Sequence, residues 1–401
     1  MTETQQQDIP TVSPWAILFL LLVSLTLGVG ALMGSRHGHT DKPPVSTQAP
    51  RYSPSKYDVP LDEVLFYIPG RQMFAPLTAL QPEVLRRLRD LNGTIYEPMF
   101  ASAEQSDWLK SQHHVIGVTA GEKAWAFACH MLDDREIANF DMDGRPMVVT
   151  YCLMTHSAIV YSREVNGRIR KFGHSFGIYD CNTILFDHET SSLWRQISGE
   201  AVVGPLTGKQ LSPYPCTLTT WEVWHKQHPQ TLVLQPDDYD KRAKTLDSLI
   251  NPNAITASAN AGSFIAPISQ QAQNQRLQSG REVVFVQADG VTRVYPLDRK
   301  ASFAINDKLG NRPITILYDA SIDTAGIFDS TLDNKVLEFA ITTDGFKDSL
   351  TDSTWHVIGQ AKTGSMSGTS LTRVPAVRSF WFAIASMSPN APEWIYKEEA
   401  E

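Results

Sequence analysis

Cysteine is scarce: four in 401 residues, too few for a disulfide scaffold. A basic excess is also missing. Thirty-five Lys and Arg face 43 Asp and Glu, for a net charge of −8, and a nucleic-acid partner requires the clustered positive charge that this balance does not supply. Neither a C-x-x-C nor an H-x-x-x-H spacing occurs, so no motif alone fixes a metal ligand set. What is present is the makeup of a folded protein, 42% hydrophobic, 19% charged and 9% aromatic. At roughly 100–200 residues per domain, the length suggests two domains, or one large domain with appendages.

Long apolar runs are confined to one place. From Trp15 to Met33 there is no charged residue, and nineteen helical residues span about 28 Å, close to the hydrocarbon thickness of a bilayer. The run reads as a single transmembrane helix over 15–33, after a tail at 1–14. A cleaved signal peptide is the competing reading, but no Lys or Arg precedes the run and no small-x-small site follows it. Arg36, Lys42 and Arg51 follow the helix and favour a cytoplasmic carboxyl side. The Pro-rich stretch over 34–60, with five prolines between Lys42 and Pro60, reads instead as a stalk holding a domain off the membrane.

The rest of the chain repeats itself, from about Gly117 to Pro229 and again from about Val284 to Pro389. Asn139, Arg145-Pro146, Tyr151, Ala158 and Phe172 match Asn306, Arg312-Pro313, Tyr318, Ala325 and Phe339 at one offset. After a deletion, Trp194, Gly199, Gly204, Gly208, Pro215 and Trp221 meet Trp355, Gly359, Gly364, Gly368, Pro375 and Trp381. Short β-branched and aromatic runs, such as 146–151, 158–161, 183–186 and 313–318, read as strands. Asp143-Gly144 and Asn166-Gly167 punctuate them as hairpin turns. Helices are predicted over 82–91, 104–111, 218–227 and 239–250. The expected fold is mainly β, a β-rich α+β chain of two related antiparallel β domains, each closed by a short helix, after the N-terminal transmembrane helix. The first domain spans 61–250, a polar linker 251–280, and a degenerate second copy 281–395.

Comparing the copies separates folding from chemistry. Cys152 faces Asp319, His156 faces Asp323, His174 faces Ile341, Cys181 falls near Asp348 and Cys216 faces Ala376. All four cysteines and eight of the nine histidines beyond residue 100 lie outside the second copy, which makes the first the candidate working half. In an extended strand Cys152, Met154 and His156 project from one face. Soft sulfur with imidazole suits copper, above all Cu(I), and His174 and Cys181 on the next hairpin complete a candidate set. The plainer reading makes Cys152 a small buried hydrophobe, Met154 a core filler and His156 an ordinary hydrogen-bonding residue. Gly173-His-Ser175-Phe-Gly177 fits the G-x-S-x-G pattern, which needs a following helix, whereas Ile178 to Asp187 reads as a turn and a strand. Trp194, Trp221 and Trp224 read as packing residues, and His225 and His228 lie three apart on one predicted helix.

With these motifs, the chain resembles the bacterial domain of unknown function 3179 family. The resemblance rests on Pro98–Leu109, Val115-Ile-Gly-Val118, Arg145-Pro146, Val149-Thr-Tyr-Cys152, Phe172-Gly-x-Ser175, Phe186-Asp187, Ser192-Leu-Trp194 and Trp221 to Pro229. The family-like core runs over about 95–232, and the second copy looks like a diverged unit of the same kind. The family is named for its lack of an assigned activity, but it usually carries Cys-Pro-Leu-Cys after the Thr-Tyr-Cys strand, and some members are described as selenoproteins, which implies redox work there. Here Cys152 matches the first cysteine and Thr155 stands at the second; His156 and Cys181 are additions, and Arg135 stands where the family often has histidine. Export signals common in the family imply an extracytoplasmic soluble part. Two readings of function follow. One is a single-pass membrane protein doing thiol-redox or copper-handling work, with Cys152 and Cys181 as thiols or Cys152, Met154, His156 and His174 as metal ligands. The other is a non-catalytic binding or scaffold module of paired β domains.

Overall fold

In a computed structural model, residues 55–243 and 252–396 are described. The expected membrane helix at 15–33 lies outside them, and among the described residues no helix is long and apolar enough to cross a membrane. The fold is mainly β. In the first half a four-stranded antiparallel sheet is built from Ile137–Met142, Arg145–Cys152, Ser157–Ser162 and Pro213–Tyr214. A second sheet places Phe172–Tyr179, Asn182–Asp187, Leu193–Arg195 and Ala201–Val203 side by side, and a third pairs Lys123–Ala128, His114–Ala120 and Thr217–Thr220.

The same order of strands recurs after residue 281. Phe303–Leu309, Arg312–Asp319, Thr324–Asp329 and Thr372–Arg373 form one sheet; Phe339–Thr342, Gly345–Asp348, Thr354–Trp355 and Ala361–Thr363 form another; Val291–Pro296, Glu282–Ala288 and Ala376–Phe380 form the third. Local devices repeat with the strands. Asn139 clamps the backbone of Phe172 with bonds of 2.8 and 2.9 Å, and Asn306 clamps Phe339 at 3.0 and 2.9 Å. The carboxylate of Asp187 accepts the indole N–H of Trp194 at 2.9 Å, and that of Asp348 accepts Trp355 at 2.9 Å. Each indole is thereby satisfied while its ring is buried against Phe172 or Phe339, a combination needed for burying tryptophan without loss. Gly204 (φ +105°) and Gly364 (φ +87°) pass so near the backbone of Ser192 and Ser353 that a Cβ would sit 2.9 and 2.7 Å from Cα. Only glycine fits both the angle and the approach.

Two expectations need correction. The stretch 218–227 is not one helix: Thr217–Thr220 is a strand and the helix is Trp221–Gln227, as Ala376–Phe380 precedes the helix Trp381–Ala385. The residues from 252 to 280 are not a free linker. Pro252–Asn260 is a helix, Ile255, Ala259, Ala266 and Ala272 are buried, and the indole N–H of Trp381 donates to the Asn274 carbonyl at 3.0 Å. Small alanines spaced among Ser, Asn and Gln lower the apparent hydropathy of the segment, yet they suffice to bury one side of it. Of the other predicted helices, 82–91 is Pro82–Leu88, 104–111 is only a 3-10 turn over Ala103–Gln105, and of 239–250 the described part is helical as Asp238–Ala243, the rest lying outside the described residues.

The halves meet through equivalent strands. Ser157–Ser162 lies against Ala376–Phe380, and Thr217–Thr220 lies against Thr324–Asp329, so each half offers the other the same two elements, as in an isologous dimer. The amide of Phe380 and the hydroxyl of Ser379 donate to the carbonyl of Thr155 at 3.1 and 2.8 Å, and Thr219 meets Thr324 at 2.7 Å. Between them lies a buried charge network. Glu282 takes Nδ1 of His156 on one oxygen at 2.6 Å and Arg378 on the other at 2.5 Å, while Arg378 also reaches Asp323 at 2.7 Å. Burial alone would raise the Glu282 carboxyl, but Arg378 and His156 hold it well below the usual range. Glu282→Gln takes from a dry site one of the two carboxylates that pair with Arg378 and the acceptor that His156 bonds, and is expected to lower stability by about 3 kcal/mol in urea unfolding; a loss within experimental error would contradict the assignment.

Acid attacks the same junction. His114 is pushed down to about 4 by burial and by His156 and Arg378, against the opposing pull of Asp323 and Glu282. Its neutral form is favoured in the folded chain, so its contribution to stability is complete above the unfolded histidine value of about 6.5 and is lost as pH falls from there towards 4. His114→Asn is therefore expected to flatten the fall of Tm over that window relative to the native chain, and parallel pH profiles would contradict this.

Candidate functional site

Cys152 ends its strand, and pairs directly with Ser157 across a turn made of residues 153–156, with His156 in the left-handed region at φ +51°. The expectation that Cys152, Met154 and His156 share one strand face fails for this reason: alternation stops at Cys152. The three side chains part company. Cys152 is fully buried and its Sγ lies 3.7 Å from the carbonyl of Cys181. Met154 joins Cys181 in lining a small apolar pocket closed by Ile255, Phe264 and Phe382. His156 crosses to Glu282 of the second half.

His174 takes a fourth direction. The amide of Phe176 donates to its Nδ1 at 3.2 Å, which places the ring proton on Nε2, and Nε2 then donates to Glu136 at 2.9 Å. The candidate ligands Cys152, Met154, His156 and His174 are thus not brought together, and among the described residues no three His, Cys, Asp or Glu side chains are placed to hold a metal ion.

A different group does converge. Glu136 caps the helix Cys129–Arg135 in the left-handed conformation, φ +56°, and this turn points its carboxylate at the Phe172–Asp187 hairpin. There it accepts from His174 and from the hydroxyl of Thr183 at 2.6 Å. Cys152 sits beside the same carboxylate. Burial and the Glu136 charge raise its thiol pKa, while hydrogen bonding to Thr155 and Thr183 favours the thiolate. Cys181 occupies the hairpin turn with Asp180, both at positive φ, and its Sγ lies 3.6 Å from the Ala266 carbonyl. Burial pushes the Cys181 thiol up to about 12. Both thiols are therefore protonated at neutral pH in the closed structure.

Sequence reasoning missed Glu136 and Thr183. The comparison of halves contains the signal for Glu136, because strand register sets Phe303 opposite it. The same register corrects another expectation: Asp348 is the counterpart of Asp187, each closing its hairpin opposite Phe339 or Phe172, so it does not correspond to Cys181. The Cys181 turn belongs to the longer tip that the second hairpin lacks. Arg135 is structural. Its guanidinium is buried and bonds the carbonyl of Gly93 at 2.6 Å, Asp240 at 2.8 Å and Asp237 at 3.0 Å.

The remaining candidates are accounted for by packing. The strand carrying Ser175 continues to Tyr179 and turns into Asn182–Asp187 with no helix, and the buried Ser175 hydroxyl donates to the Ile184 carbonyl; the nucleophile-elbow context is absent from this hairpin. His225 stacks on Trp221 with ring centroids 4.7 Å apart, and the His228 amide donates to the Trp224 carbonyl at the end of the helix.

Two substitutions separate the forces on Cys152. Glu136→Gln removes a neighbouring negative charge and is expected to move the pH profile of Cys152 alkylation to lower pH, whereas Thr183→Val removes thiolate-favouring hydrogen bonding and is expected to move it higher. Peptide mapping of iodoacetamide adducts reads both; shifts of the same sign would show that access, not charge, governs the thiol.

The model of a family described as a protein of unknown function, DUF3179, matches residues 93–391, about three quarters of the chain. The match extends well beyond the 95–232 core taken from the sequence. No match was found among curated proteins or solved structures.

Proposed function

The chain belongs to the DUF3179 family of proteins of unknown function, and we propose that it carries out thiol–disulfide exchange at the first half, with Cys152 as the attacking thiol and Cys181 as the resolving one. The observation that supports this reading is the buried polar group of Cys152, Thr183, Glu136 and His174 beside Cys181. A cysteine kept only to fill space has no use for a carboxylate and a hydroxyl around its sulfur, and strand register sets Asp319, Phe303 and Ile341 opposite Cys152, Glu136 and His174.

Glu136 is the carboxylate whose charge acts on the sulfur, and Thr183 hydrogen-bonds to both. The Cys152 thiolate attacks one sulfur of a substrate disulfide; that S–S bond breaks, a mixed disulfide forms, and the other sulfur leaves and takes up the proton held by Glu136. Cys181 then attacks the Cys152 sulfur and releases the second substrate thiol. The substrate gains two electrons and two protons, and the chain is left with a Cys152–Cys181 disulfide. Because burial holds both thiols protonated, exchange requires the 252–280 segment over Cys181 to open. A copper-handling form is less well supported, since Glu282 and Glu136 already engage His156 and His174. Anchorage by the uncharged run at 15–33, with the described part extracytoplasmic, belongs to the same proposal.

Cys181→Ser treated with hydroxyethyl disulfide is expected to accumulate a mixed disulfide on Cys152, and Cys152→Ser to accumulate none on Cys181. If neither thiol exchanges while the protein is folded, the thiol reading fails and the chain is better described as a paired β scaffold.

A further inference from the structure

The stretch 90–96, which precedes the repeat, covers the place where two sheet edges of the first half meet. On the strand Ile137–Met142, the amide of Ile95 donates to the Ile137 carbonyl at 2.9 Å and the amide of Asn139 donates to the Ile95 carbonyl at 2.8 Å, so that Ile95 lies parallel to Ala138. On the strand Phe172–Tyr179, the amide of Asp90 donates to the His174 carbonyl at 2.9 Å and the His174 amide donates to the Asp90 carboxylate at 3.0 Å. A turn at Asp90–Gly93, with Gly93 at φ +73°, joins the two contacts. Beneath this cover Ile137, Ala138, Asn139 and His174 are all buried.

The second half has the same two edges and no such cover. Register places Ala304, Ile305 and Asn306 at the positions of Ile137, Ala138 and Asn139, and Ile341 at that of His174. The carbonyl of Ala304, the amide of Asn306 and both backbone groups of Ile341 are the equivalents of the groups that Asp90 and Ile95 engage, and among the described residues no other segment bonds them. Asn306 is exposed, and Ile341 is 46% exposed where His174 is 7%. Edges left open are ordinarily guarded by Lys, Pro or a bulge. Phe303-Ala-Ile-Asn306 and Phe339-Ala-Ile-Thr342 contain neither charge nor proline, and their pairings run without a register shift.

We propose that this edge of the second half docks a segment of a partner protein in the manner that residues 90–96 occupy the first: a carboxylate on the Ile341 amide, a glycine turn, and an apolar residue five places on, held between the Ala304 carbonyl and the Asn306 amide. Main-chain bonds to an open edge supply the affinity, and the carboxylate and apolar residue the selectivity. The same stretch of a second copy is not free to serve, because in its own half Ile95 is buried, Asn92 donates to the Asp134 carbonyl at 2.6 Å and Arg135 donates to the Gly93 carbonyl at 2.6 Å. The docking edge is independent of the thiol chemistry.

The probe is a synthetic copy of residues 90–97, Asp-Leu-Asn-Gly-Thr-Ile-Tyr-Glu, titrated into the full chain while amide exchange is read residue by residue by mass spectrometry. Exchange at Asn306 and Ile341 is expected to slow as peptide is added, about tenfold at about ten times the Kd, because only the empty fraction exchanges, while Ile137 to Asn139 keep their rates. The same peptide N-methylated at its isoleucine lacks the donor for Ala304 and is expected to leave both rates unchanged. Rates unmoved by the unmodified peptide throughout the titration, or slowed equally by both peptides, would overturn the proposal. Without peptide both amides are expected to exchange freely; protection that persists on dilution would place a segment of this chain on the edge, protection lost on dilution would place a second copy there, and either overturns the assignment to a partner.

Discussion

The structure depends on one buried carboxylate. Glu282 opens the strand that starts the second half, yet one of its oxygens belongs to His156 of the first half and the other to Arg378 of the second. With Glu282 ionised, His156 and Arg378 each bond one of its oxygens in a dry junction; without it, a buried guanidinium loses a counter-charge where water cannot replace it. The turn that carries His156 begins at Cys152. The junction therefore fixes the position of the candidate thiol through four residues of chain, and the carbonyl of Thr155 in that turn is clamped again by Ser379 and Phe380.

Around this junction the halves use one set of folding devices twice. An Asn clamp, an Asp–Trp pair and a glycine packed on a serine backbone occur in each, with bond lengths that agree to within 0.2 Å. Such features answer to burial and backbone geometry and need no chemical role. Glu136, Cys152, His174 and the Cys181 turn stand apart because His174 bonds Glu136, the Glu136 charge acts on Cys152 and the Cys152 sulfur meets the Cys181 carbonyl, while their register positions in the other half hold Phe303, Asp319, Ile341 or a shorter hairpin. The second half contributes by closing the site: its helix Trp381–Ala385 supplies Phe382 to the pocket wall beside Cys181 and Met154.

Much of this was legible in the sequence. Alternating β-branched runs and Asp-Gly or Asn-Gly turns identify the hairpins because strand period and turn chemistry are local. The paired Asn, Trp and Gly positions identify the repeated devices. Three things were hidden. A four-residue turn at 153–156 looks like a continued strand, since Leu153 and Met154 are apolar and the deciding feature is the positive φ of His156. The burial of 252–280 comes from alanines that carry little hydropathy individually. Glu136 reaches its partners through a left-handed cap, and no spacing rule links residues 136, 174 and 183.

The central claim is that Cys152 and Cys181 form one redox couple. The direct measurement is an equilibrium series of the folded chain in glutathione buffers of graded poise, with acid trapping and disulfide mapping. A single Cys152–Cys181 disulfide, appearing over one midpoint while Cys129 and Cys216 remain thiols, is the expected result, and it requires the two Cα atoms to close to within about 7 Å. Cys152 and Cys181 remaining reduced at every poise that leaves the protein folded, or pairing with other cysteines, would contradict the account.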